Sequence, residues 1–382
     1  MVCPPQVRVA DDRHRQRAIP TRLETNSGNC PKPGGICYYP DEPQFPMNQH
    51  QSRRNFLKSA AVLPFCASAA LGLSGMSAAA AIAPIKRVGG PWLKVSCNAY
   101  SFGRLLNDQL HGRGTGINLF DLADFCAKQG FDGFDATGYY FPGYEKDGPG
   151  VPTDKYIFDL KRHAFDLGLG ISGSGIGNNF TTADKAARAK DVQRIKNWVE
   201  VAAKLGAPVL RVFADTQMRA QTWQTVSNGA TRDQVEAWIA DDIRECSEYA
   251  AKFGIIIGVQ NHGDFLKTAD DQIALINRIN SPWCGAIVDT GYYKATDPYA
   301  EMAKAAPFAV NWQVKQSPEG VENEAAQPTD LIRLLKIIRS SGYRGYLPIE
   351  TLSPRGAGGD YDPYKIVPAF LAQLREAIAQ TA

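Results

Sequence analysis

Four times between residues 255 and 350 the chain passes through a short apolar run and then turns abruptly polar. The first is Ile255-Ile256-Ile257-Gly258-Val259-Gln260, leading into Asn261-His262-Gly263-Asp264. Ala286-Ile287-Val288-Asp289-Thr290-Gly291-Tyr292 is the second, Ala309-Val310-Asn311-Trp312-Gln313-Val314-Lys315 the third, and Tyr346-Leu347-Pro348-Ile349-Glu350 the fourth. Runs of this length, apolar and rich in β-branched residues, are the pattern of strands buried on both faces. A functional loop commonly begins where such a run stops. The four ends present Gln260, Asp289, Gln313 and Glu350.

The same rhythm extends upstream. Strands are expected near 93–100, 131–135, 170–174 and 209–213, and helices over 119–128, 156–167, 184–205 and 232–253. Downstream, helices over 269–279, 298–305, 329–340 and 368–379 separate and follow the four runs. Strands alternating with helices require a parallel sheet. Eight strands fit a closed barrel, and no Gly-x-Gly-x-x-Gly opens a helix after the first, which disfavours a dinucleotide fold. The expected fold is α/β, a single (β/α)8 barrel over residues 82–382, with its active site at the strands' C-terminal mouth.

Two segments precede that barrel. Ser52-Arg53-Arg54-Asn55-Phe56-Leu57-Lys58 followed by an Ala-rich apolar stretch reads as a twin-arginine signal over residues 47–81, with small-residue cleavage sites at 77–81. The expectation is export by the twin-arginine machinery to the periplasm or beyond. A membrane anchor is disfavoured, because the run is Ala-, Gly- and Ser-rich with no stop-transfer pattern. Residues 1–46 carry no periodicity, and translation is expected to start at Met47; if made, they are expected to be disordered. The net charge of +3 and the lack of a basic, aromatic-interleaved patch give no reason to expect nucleic acid. Cys97, Cys126, Cys246 and Cys284 lack metal-type spacing and are expected to be buried thiols.

With Val-Asp-Thr-Gly at 288–291 and Pro-Ile-Glu at 348–350, the strand ends resemble the xylose isomerase-like TIM-barrel superfamily, in particular its sugar phosphate isomerase/epimerase group. The resemblance implies a divalent ion, most commonly manganese with magnesium or zinc as variants, held by Glu, Asp, His and Glu on strands five to eight. Carried over by position, the metal ligands fall on Gln260, Asp289, Gln313 and Glu350. Asp289 and Glu350 agree with the pattern. Gln313 departs from the commoner His, as hydroxypyruvate isomerases also do. Gln260 departs more seriously: a carboxamide offers an oxygen to a hard cation but cannot act as a base.

The catalytic candidates are therefore Glu350, as ligand and base, together with His262 and Lys315. On a continuing strand His262 points the same way as Gln260, and Lys315 the same way as Gln313. An imidazole titrates near neutrality, and a lysine can neutralise an enolate. The substrate-binding candidates are Arg211, Asp135 and Tyr292, the last where epimerases of the family often carry a substrate-contacting His. The aromatic segment 139–144 is either a wall against a sugar ring or plain packing.

The resemblance implies a metal-dependent isomerase or epimerase working through an enediolate. Export points to a free sugar, keto-sugar or cyclitol as the small-molecule partner. A lyase eliminating β to a carbonyl, for example from a keto-glycoside, needs one base and suits Gln260. A barrel that binds sugar without turning it over is the third reading. The strand ends supply too few His and carboxylate side chains for the three-metal site of an abasic-site endonuclease.

Overall fold

The computed structural model describes residues 82–145, 150–216, 221–318, 327–352 and 361–382. The export segment and residues 1–46 lie outside the described residues. Eight strands form one parallel sheet: β1 Trp92–Asn98, β2 Gly133–Asp135, β3 Gly170–Gly175, β4 Val209–Phe213, β5 Ile256–Gln260, β6 Cys284–Asp289, β7 Ala309–Gln313 and β8 Arg344–Ile349. Neighbours follow the order β7-β6-β5-β4-β3-β2-β1-β8. The remaining edge, between β7 and β8, is stitched just past β7. There Val314 bridges Ile349, its N–H donating to Pro348 C=O at 2.8 Å, and Glu350 N–H donates to Val314 C=O at 2.9 Å. That closes the ring into the expected (β/α)8 barrel.

The helices are α1 Gly103–Leu110, α2 Leu119–Gln129, α3 Asp154–Asp166, α4 Lys185–Leu205, α5 Trp223–Val226, α6 Arg232–Ala251, α7 Ala269–Ile279, α8 Pro298–Ala305, α9 Leu331–Ser340 and α10 Pro363–Gln380. Reciprocal capping boxes start three of the longer ones, with Asn118 and Asp121 on α2, Thr231 and Gln234 on α6, and Thr268 and Asp271 on α7. Each satisfies backbone donors that the first turn leaves without partners. The helices bury one stripe against the sheet, where Ile195, Trp198 and Val199 of α4, Ile239 and Ile243 of α6, and Leu334 and Ile338 of α9 are fully covered. Each such side chain contributes about 1.5–3 kcal/mol.

Two expectations shift. The last helix starts at Pro363, not at 368. Asp362 caps it by accepting from Tyr364 N–H at 3.0 Å, and Pro368 lies inside. A proline suits the first helical position, and here an earlier one holds it. The short helices α1 and α5 were not foreseen, being too brief to establish a period. The four cysteines are free and buried, as expected. Among the described residues no helix is long and apolar enough to cross a membrane.

Candidate active site

Gln260, Asp289, Gln313 and Glu350 stand at or just past the C-terminal ends of β5, β6, β7 and β8, so barrel closure brings them to one mouth. Asp289 is fully buried and heavily engaged. Its Oδ1 accepts from Gly291 N–H at 2.9 Å, and its Oδ2 accepts from Gln260 Nε2 at 2.5 Å. Asn261 pairs with the Asp289 backbone through both amide atoms, at 2.7 and 2.9 Å, prolonging the sheet beyond β5. Gln260 in turn accepts from Arg211 at 3.4 Å, which fixes its amide with the NH2 toward Asp289. Gln313 accepts from Asn98 Nδ2 at 2.8 Å.

Lys315 is the centre of this group. Its Nζ lies 2.7 Å from Glu350 Oε1 and 3.3 Å from Asp289 Oδ2, while the residue is 1% exposed. Its backbone is held on both sides, N–H donating to Thr290 Oγ1 at 2.9 Å and C=O accepting from Thr329 Oγ1 at 2.8 Å. Burial opposes its charge, but Asp289 and Glu350 outweigh that and hold Lys315 above the ordinary lysine range. Burial raises the Asp289 carboxyl, with Lys315 pulling it back down and Glu350 pushing it further up. An ammonium between two carboxylates leaves the cluster with one negative charge when all three are ionised.

His262 stands beside the cluster. Its Nδ1 is 2.8 Å from Asp215 Oδ2, and its ring packs on Tyr292 at 4.1 Å and on Phe213 at 4.9 Å between centroids. Paired with a carboxylate, Nδ1 carries the proton and Nε2 is the basic nitrogen. Gly263 makes the contact feasible: its φ is +79°, and a Cβ there would collide with the Asp215 carboxylate. Tyr292 is thus joined to the histidine, with the Lys315 ammonium 5.3 Å from its ring centre.

Across the mouth, Arg211 of β4 lies over the Phe213 ring at 4.1 Å and donates to the Tyr139 hydroxyl at 3.0 Å. Gly175 of β3 gives it room, since a Cβ there would meet the guanidinium. Burial raises the Asp135 carboxyl at the end of β2 to about 6; Arg211 draws it down and Glu350 pushes it up. The aromatic segment divides: Tyr139 faces Arg211, whereas Phe141 and Tyr144 pack edge-on to Trp198. Asn98, Asp215 and Asn261 were not singled out from the sequence. Asn98 also ends a strand, so the rule that found Asp289 would have found it.

Residues 123–374 match the model of the family described as xylose isomerase-like TIM barrel, well over half of the 382-residue chain. The chain belongs to the xylose isomerase-like TIM barrel family. No curated protein matches the sequence. Among solved structures this family member is similar to the 3-keto-D-glucoside 4-epimerase of E. coli, with a TM-score of 0.58 and 16% identity over 74% of this chain and 99% of that one. It is also similar to an L-ribulose 3-epimerase, with a TM-score of 0.59 and 17% identity over 75% and 96%. A third is the D-psicose 3-epimerase of Clostridium cellulolyticum H10, solved with D-tagatose, with a TM-score of 0.58 and 13% identity over 74% and 99%. At these identities the likeness shows the fold.

The divalent ion implied by the resemblance meets a donor set in this xylose isomerase-like barrel that does not fit it. Gln260 turns its NH2, not its oxygen, toward Asp289, and the Lys315 ammonium lies between the two carboxylates. A dication about 4 Å from that ammonium would be repelled by about 8 kcal/mol at an effective dielectric near 20. Among the described residues no group of three or more His, Cys, Asp or Glu side chains is placed to hold a metal.

Proposed function

We propose that this barrel is a sugar isomerase or epimerase that moves a proton on the carbon beside a carbonyl of a free sugar, keto-sugar or cyclitol. The observation that carries the reading is the pairing, at one mouth, of a carboxylate anchored by an ammonium with a histidine oriented by a carboxylate. Glu350 follows β8 and His262 follows β5, three strands apart around the ring. Groups so placed can serve the two faces of a carbon between them, one taking a proton and the other returning one. His262 Nε2 is the basic atom, because Asp215 holds Nδ1–H. Arg211, Asp135 and Tyr292 would bind and orient hydroxyls, and Tyr139 would cover the ring. The named activities of the similar structures, all sugar epimerases, support this class. The twin-arginine segment supports export, hence an unphosphorylated substrate met in the periplasm.

A lyase is the second reading, favoured by Asp135. A buried carboxyl titrating near 6 is partly protonated close to neutrality and could give its proton to a departing alkoxide. One experiment separates the readings. Candidate keto-sugars are incubated with the protein in D2O and followed by NMR. Deuterium appearing beside the carbonyl, with a new stereoisomer or isomer, supports the isomerase. A product lacking the eliminated group supports the lyase. Saturable binding with no exchange after long incubation would leave a sugar-binding barrel and overturn both.

A further inference from the structure

We infer that in this barrel the Lys315 ammonium takes the place of a divalent metal ion, held permanently between Asp289 and Glu350, so that the site neither needs nor retains such an ion. The seat is defined by the two carboxylates, and Nζ reaches both, at 2.7 Å and 3.3 Å. Lys315 is not a surface side chain that strays in. It is 1% exposed, its own peptide groups are tied to Thr290 and Thr329, and the Tyr292 ring lies 5.3 Å from Nζ.

The two carboxamides are engaged with protein partners. Gln260 donates to Asp289 instead of offering an oxygen inward, and its own oxygen faces Arg211 at 3.4 Å. Gln313 accepts from Asn98, which itself accepts from Thr137 Oγ1 at 3.2 Å. A metal would have to turn the Gln260 amide, break its bonds and expel a buried lysine whose backbone is fixed. Glu350 gains from Lys315 what a metal would give it: a fixed rotamer and a neighbouring positive charge. Lys315 is therefore a positioning residue acting through Glu350. The inference rests on the proposed function only for the task of Glu350, and its test is independent of turnover.

The test uses the full-length protein, stripped with chelator and then dialysed against manganese, magnesium or zinc. Metal content is measured by elemental mass spectrometry, and melting temperature with and without about 1 mM ion, which would stabilise any state that binds it. The native protein is expected to carry well under one ion per chain and to melt unchanged. Lys315→Ala is expected to melt about 5–10 °C lower, because two carboxylates lose their buried partner, and to regain several degrees with manganese. Lys315→Arg, which keeps the charge, is expected to recover part of the loss without metal.

A native protein that takes up about one ion per chain, or melts several degrees higher with it, would overturn the inference. So would Lys315→Ala melting like the native protein. If Lys315→Ala does not fold, the native metal measurement decides. Deuterium exchange into keto-sugars, run in parallel, reports on the proposed function and can fail while the metal result stands.

Discussion

His262 Nδ1 lies 2.8 Å from Asp215 Oδ2, a contact that fixes which ring nitrogen is basic and where it points. The Asp215 side chain is 3% exposed while that of His262 is 27% exposed, so the anchor is buried and the imidazole is the more open partner. This is the arrangement in which a second residue sets the tautomer of a catalytic base.

Asp215→Asn should therefore lower kcat by about 10²–10⁴-fold with little change in KM, as expected when an oriented base is lost. The isosteric amide preserves packing, so the melting temperature should move far less than the rate does. Steady-state kinetics on the best keto-sugar, beside a thermal melt, checks this. A kcat within threefold of native would remove His262 from the mechanism.

Glu350→Gln should abolish proton exchange, falling by about 10²-fold or more, while the fold survives because Lys315 keeps Asp289 as partner. Deuterium incorporation into substrate is the readout. Retained exchange would shift the chemistry to another group.

Asp135 gives a pH signature. Its folded value of about 6 exceeds the ordinary 3.8, so the folded protein holds a proton there that the unfolded chain has released. Stability must then fall as pH rises from about 4 to about 6 and level off above, a loss of about 3 kcal/mol from this group. Asp135→Asn should flatten that segment of a urea-unfolding profile taken against pH. An unchanged slope would show that the carboxyl is ionised throughout.

Gly175→Ala tests the seating of Arg211. The added methyl meets the guanidinium and the Arg211 Cβ, so the side chain must leave the Phe213 ring and Gln260. The expected cost is about 1–3 kcal/mol, with raised KM if the displaced arginine binds substrate as proposed. Native stability and KM would show that Arg211 accommodates the methyl in place.

The barrel was legible because strands alternate with helices along the chain, and four apolar runs that break sharply into polar residues put Gln260, Asp289, Gln313 and Glu350 in one place. Lys315 was visible as a nearby cation, but its destination was not. Whether a lysine just past a strand end folds inward depends on Thr290 and Thr329, which meet it from distant parts of the chain. Asp215 escaped for a similar reason: it follows a strand by two residues, and only the tertiary fold brings it to His262, 47 residues on. The short helices α1 and α5 depend on packing more than on a periodic stripe.

The stitch between β7 and β8 has a dynamic consequence. Elsewhere strands pair along paired segments, whereas this joint rests on the bridge at Val314 and Ile349, with the Lys315–Glu350 ion pair crossing just beyond it. A ring of strands opens most readily along the line with fewest ladder bonds. Amide hydrogen exchange should thus enter the barrel along this line, and the ammonium and its carboxylate act as a clasp whose release would loosen the wall and the barrel mouth together.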